Sequence, residues 1–136
     1  MRNLVAAVVI LLISAACGGS GSSGAASTIA VTMTDTGIQL DQPSSPAGTV
    51  TFAARNNGTV IHSLMLLKTD VAVDKLPADP NDASRPAKTG ELKETAQITV
   101  GQSASFSASL APGNYILVCN EPGHYLIGMR TAFVVK

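Results

Sequence analysis

Cys119, His124 and Met129 stand five residues apart in VCNEPGHYLIGM, so a thiol, an imidazole and a thioether recur at one interval. A fourth candidate, His62, lies upstream in NNGTVIHSLML. Each residue has an ordinary reading by itself: a histidine satisfied in the core, a surface histidine in a Pro-Gly loop, a methionine filling a gap. Together they form a mixed donor set. Thiolate and thioether are soft, and imidazole suits a wider range of transition metals.

Whether they meet depends on the strands that carry them. His62 shares a face with Leu64 and Leu66 at period two, and Tyr115, Leu117 and Cys119 share another, so both donors point with apolar side chains. Cys119 ends a strand and Met129 opens the last one. The loop between them contains Pro122, Gly123 and Gly128, which permit the bends needed to gather thiolate, imidazole and thioether at one point. Two nitrogens, one sulfur anion and a weak sulfur make the trigonal site with a long axial methionine that suits copper. Zinc accepts cysteine and histidine, but a thioether is not among its usual ligands.

The remaining chain reads as strands with turn punctuation. Strands are expected over 28–34, 37–40, 49–56, 60–68, 96–100, 103–110, 115–119 and 130–135. Asn57-Gly58 gives a tight-turn signal before the His62 strand. Residues 70–95 are polar and carry Pro77, Pro80 and Pro86, so they read as a long connection with a turn or two of helix at most. Seven or eight strands at this spacing predict an all-β, antiparallel sandwich. Valine, alanine, leucine and isoleucine supply most of its 46% hydrophobic content, while aromatic residues make up only 4%.

NNGTVIHSLML and PGNYILVCNEPGHYLIGM together resemble the cupredoxin family of small blue copper proteins. The C-x4-H-x4-M spacing is similar to that of the auracyanin, rusticyanin and sulfocyanin type. The likeness covers residues 28–136 and implies a Greek-key β-sandwich holding one copper ion. By this resemblance His62, Cys119 and His124 are equatorial ligands and Met129 the axial one. The resemblance further implies that the backbone N–H of Ser63, directly after the first histidine, reaches the thiolate sulfur. The resemblance also implies electron transfer between redox partner proteins, with His124 as the exit for the electron. Leu126 and Ile127 either surround that exit as an apolar patch or pack inward beneath the loop.

The N-terminus reads as an export signal. Arg2 is followed by an apolar run from Leu4 to Ile13, too short to span a bilayer as a helix, and then by Ser14-Ala15-Ala16 before Cys17. This resembles a bacterial lipoprotein leader, with residues 1–16 removed and Cys17 lipidated, although Ser14 stands where an aliphatic residue is commonest. A plain signal peptide cleaved nearby is the other reading. Residues 18–27, GGSGSSGAAS, would then tether the domain at 28–136 to the membrane. Both readings place the domain outside the cytosol, in the bacterial cell envelope on the periplasmic or outer-surface side.

Only Cys17 and Cys119 are present. Lipidation of the first leaves one thiol in an oxidising compartment, where a ligand role accounts for it. A Cys17–Cys119 disulfide is the alternative. Nine basic and nine acidic residues balance, and loss of Arg2 leaves eight against nine, with no basic stripe for nucleic acid. An enzyme with a second copper site would need more histidines than the two present. A copper-delivery protein would be expected to carry methionine- or histidine-rich tracts, and these are missing. A purely structural or adhesive domain leaves the lone thiol unexplained. The reading that remains is a monomeric, membrane-tethered electron carrier.

Overall fold

In the computed structural model, residues 26–136 are described. The expected leader (1–16), lipidated Cys17 and most of the tether lie outside the described residues. Nine strands follow in order: β1 (Ser27–Thr34), β2 (Gly37–Leu40), β3 (Ser44–Ser45), β4 (Gly48–Asn56), β5 (Leu64–Lys68), β6 (Glu91–Glu94), β7 (Ser103–Leu110), β8 (Gly113–Cys119) and β9 (Arg130–Val135). No helix occurs among the described residues. The strands form two sheets, ordered β2-β1-β4-β7 and β3-β9-β8-β5-β6.

Alternation sets the inner face of the first sheet. Ile29, Val31 and Met33 of β1, with Val50, Phe52 and Ala54 of β4, turn inward between exposed or half-buried neighbours. They meet Leu64, Leu66, Leu117 and Phe133 from the second sheet in one core. Phe52 joins the layers, its ring 5.1 Å edge-on from Phe133 and 5.6 Å from Phe106.

The sandwich is all-β as expected, with differences in detail. Two pairings are parallel, β1 with β4 and β3 with β9. The chain leaves β1 through the β2 hairpin, touches the second sheet at β3 and returns beside β1 in the same direction. Such a crossover is what parallel pairing requires. Two short strands arise where the sequence reads as connection: β3 in the Pro43–Gly48 loop and β6 inside 70–95. Residues 96–100 form no strand; Ile98 makes a single antiparallel bridge to His62. Asn57-Gly58 does not close a hairpin, because β4 and β5 belong to different sheets.

Strands β5 and β8 are buried on both faces. Met65, Leu67, Ile116 and Val118 point away from the main core and form a second cluster with Tyr125, onto which Val73 and Leu76 pack. Residues 70–90 are therefore the cover of the outer face of the second sheet. This is why LMLL and YILV are continuous apolar runs with little alternation.

Candidate metal centre

The backbone of His62 is held by Ile98, and its surroundings by Asn56. Its N–H donates to Ile98 O at 3.2 Å, and Ile98 N–H donates back to His62 O at 2.7 Å. Asn56, wholly buried at the end of β4, donates from Nδ2 to Val60 O (2.7 Å) and Ile98 O (2.9 Å), and accepts from Gly58 N–H (2.8 Å). One amide thus satisfies three backbone groups in an irregular crossing that has no ladder of its own. A buried network of this kind fixes the backbone at the histidine.

Cys119 closes β8, and its N–H donates to Met129 O at 3.0 Å, while Met129 N–H donates to His124 O at 3.0 Å. Met129 is thereby locked between the other two loop residues, fully buried within the main core alongside Cys119. Gly123 and Gly128 take φ of +80° and +114°, the left-handed region that lets the loop double back.

The side chains converge. His62 Nδ1 lies 3.1 Å from His124 Nδ1, and Cys119 Sγ lies 3.4 Å from His124 Nδ1 and 3.8 Å from His62 Nδ1. One donor atom from each of the three residues falls within 4.8 Å of the others. Both imidazoles present Nδ1 to the thiol. His62 and Cys119 are buried and His124 is partly exposed. Ser63 N–H donates to Cys119 Sγ at 3.5 Å, within the range for sulfur.

Burial acts in opposite senses on the two buried donors. Burial pushes the Cys119 thiol up, against the pull of the Ser63 and Glu121 N–H groups. Burial, reinforced by the neighbouring His124, holds His62 below the usual histidine range. His62 is thus held in its neutral form, and a metal cation is what would draw the proton from the thiol. Two imidazole nitrogens, a thiolate and a thioether suit copper in both common oxidation states, because soft sulfur favours Cu(I) and imidazole accommodates Cu(II).

Several positioning residues were not legible in the sequence. Asn120 is buried, donates from Nδ2 to Glu94 Oε1 at 2.8 Å, and accepts Arg85 Nη1–H at its carbonyl. Gly123 N–H donates to Ser84 O at 2.7 Å. Tyr125 O–H donates to Val73 O and accepts Leu76 N–H, each at 3.0 Å. The 70–95 connection is therefore fastened along the ligand loop as a brace. Only Asn56 had a usable signal, standing directly before the Asn57-Gly58 turn. Leu126 and Ile127 face outward, 63% and 58% exposed, while Tyr125 between them and His124 turns in.

A two-sheet β-sandwich with a histidine–cysteine cluster at one end defines the cupredoxin class of protein. No family model matches the chain. It is 36% identical over 101 residues to auracyanin-B of Chloroflexus aurantiacus, a match covering 66% of this chain and 43% of that relative. The chain thus spans less than half the length of the curated relative it matches. The solved structure of auracyanin B superposes with a TM-score of 0.60 at 28% identity, covering 81% of this chain and 88% of that one. Rusticyanin from Thiobacillus ferrooxidans shares the fold, with a TM-score of 0.58 at 21% identity over 80% of this chain and 77% of that one. The chain has the fold of the cupredoxins and is similar in sequence to auracyanin.

Proposed function

We propose that this chain is a one-electron carrier of the cell envelope, holding one copper ion between His62, Cys119, His124 and Met129. The observation that carries this reading is the convergence of His62 Nδ1, His124 Nδ1 and Cys119 Sγ within 4.8 Å of one another. Bound copper supplies the Cu(I)/Cu(II) couple. The protein's part is to hold the donors still and to set their basicity. The Ile98 bridge and the Asn56 amide fix His62, while the brace of residues 70–95 fixes the loop bearing the other three. Donors held this way change little in position when the charge of the site changes, so little energy is spent on rearrangement. Ser63 N–H withdraws electron density from the sulfur, which raises the potential.

His124 is the exit for the electron. It is partly exposed, and the neighbouring Leu126 and Ile127 give it an uncharged apolar surround. A small patch of this kind suits brief docking with redox partner proteins. Both histidines are committed to one centre, which supports a carrier over an enzyme. The leader and Cys17 support export and a lipid anchor, and the domain would act as a monomer at the membrane surface.

One spectrum tests the reading. Copper-loaded protein is expected to show an intense visible thiolate-to-copper charge-transfer band and a narrow EPR hyperfine splitting. A pale, ordinary tetragonal copper spectrum would sink it. Met129→Leu is expected to keep the colour and raise the potential, because losing a weak donor costs the dipositive ion more than Cu(I). Spectroelectrochemical titration reads both quantities, and a variant unchanged in both would remove Met129 from the ligand set.

A further inference from the structure

Asp35 lies in the turn between β1 and β2, far in sequence from every candidate ligand. Its carboxylate is clamped by one residue: Thr59 N–H donates to Oδ1 at 2.7 Å, and Thr59 Oγ1–H donates to Oδ2 at 2.8 Å. So held, Oδ1 lies 3.4 Å from Nε2 of His62, whose side chain is wholly buried. His62 Nε2 has no hydrogen-bond partner, so this carboxylate is the charged group placed to answer it. At 3.4 Å the contact is longer than an ordinary N–H···O bond and acts chiefly through charge.

Gly58 shows how closely the groups are fitted. A Cβ there would come 2.2 Å from Asp35 Oδ1 and 2.7 Å from His62 Nε2. Any larger residue would occupy the space through which carboxylate and imidazole face each other. Glycine at this position therefore permits a contact as well as a turn.

The tautomer follows from the two ends of the ring. His62 Nδ1 faces Cys119 and His124, so a cation there needs the Nδ1 lone pair, and the single ring proton must sit on Nε2. That proton points at Asp35. We propose that Asp35 is a positioning residue for the metal centre: it fixes His62 in the Nδ1-donating tautomer and biases the bound ion towards its more highly charged state. The inference rests on the copper-carrier reading for its redox part alone. A carboxylate behind a ligating imidazole raises the basicity of the ligand. A stronger donor and a nearby negative charge both favour Cu(II) over Cu(I), which lowers the potential.

The test uses the full chain with Asp35→Asn and Asp35→Ala. Asparagine keeps an oxygen for Thr59 and for His62 Nε2–H but removes the charge. In copper-loaded protein, Asp35→Asn is expected to shift relative binding about tenfold towards Cu(I), a rise of about 59 mV for one electron, with the visible band retained. In metal-free protein at about pH 8, where histidine is neutral, imidazole ¹⁵N shifts should place the proton on Nε2 of His62. Asp35→Ala should mix the two tautomers. An unchanged potential in Asp35→Asn overturns the electrostatic role. Wild-type His62 protonated at Nδ1, or a tautomer indifferent to Asp35→Ala, overturns the positioning role. Failure of the wild type to show the visible band defeats the copper reading instead, and the ¹⁵N measurement still decides the placement of the proton.

Discussion

Cys119→Ser is expected to abolish the intense visible band of the copper-loaded protein completely while leaving the sandwich folded. The band requires a sulfur anion bonded to the metal, and Cys119 supplies the one thiol among the described residues. Burial already pushes that thiol up, so the cation must provide the energy to remove its proton. A serine hydroxyl is far less acidic and offers a hard oxygen in place of a soft sulfur, so it gives neither the charge nor the covalency. The backbone around the position would be undisturbed, since Cys119 N–H keeps its bond to Met129 O and Ser63 N–H would meet Oγ in place of Sγ. The stability cost is that of one buried hydroxyl, about 1–3 kcal/mol on mutational scales. Visible absorption and thermal unfolding, measured on the same sample, separate the two effects. A variant that kept its colour would show that the metal takes its thiolate elsewhere or that no such bond exists.

The readable and unreadable parts of this protein divide along physical lines. Strands β1 and β4 were legible because each buries a face whose period is written in the residues, as in Ile29-Val31-Met33 and Val50-Phe52-Ala54, whereas β8 was legible as an apolar run opened by the Pro112-Gly113 turn. The three loop candidates were legible because Cys119, His124 and Met129 lie within a single excursion between adjacent strands, and the fold brings Cys119 and His124 together with His62. His62 required a tertiary guess, but its shared face with Leu64 and Leu66 gave the direction. Residues 70–95 read as a long connection, and their bracing role was hidden because their inward contacts are sparse. Val73 and Leu76 supply the apolar part of the cover, and the rest is done by backbone groups and by Arg85, which look like any exposed loop. Asp35 was invisible for another reason. An aspartate in a turn between two strands is what turn chemistry alone would select, and only the fold reveals that this turn abuts His62. The orientation of Leu126 and Ile127 was open for a similar reason. Tyr125 takes the inward place because its hydroxyl finds Val73 O and Leu76 N–H, and it thereby turns its neighbours outward.

Phe52→Ala is expected to cost the largest amount of stability of any change considered. The ring is wholly buried at the middle of β4, in register with Ile29 on one side and Phe106 on the other. Across the interface it meets Phe133 of the second sheet edge-on at 5.1 Å. Truncation removes the transfer energy of an aromatic side chain and leaves a cavity that two sheets, each tied by its own hydrogen bonds, cannot close. Such changes cost about 3–5 kcal/mol. A domain of this size has about 5–15 kcal/mol in all, so the variant should lose roughly 12–25 °C in Tm. Chemical denaturation of the metal-free protein measures the loss directly. The copper-loaded variant should regain part of it, because a ligand that binds only the folded state stabilises by mass action. That recovery carries its own information. Phe133 sits four residues beyond Met129 on the same stretch of chain, so a collapse of the aromatic pair would reach Met129 through β9. A metal-induced rise in Tm equal to that of the wild type means the loss is confined to packing between the sheets and leaves metal affinity intact. A loss below about 1 kcal/mol would mean that the sheets are not held together through Phe52.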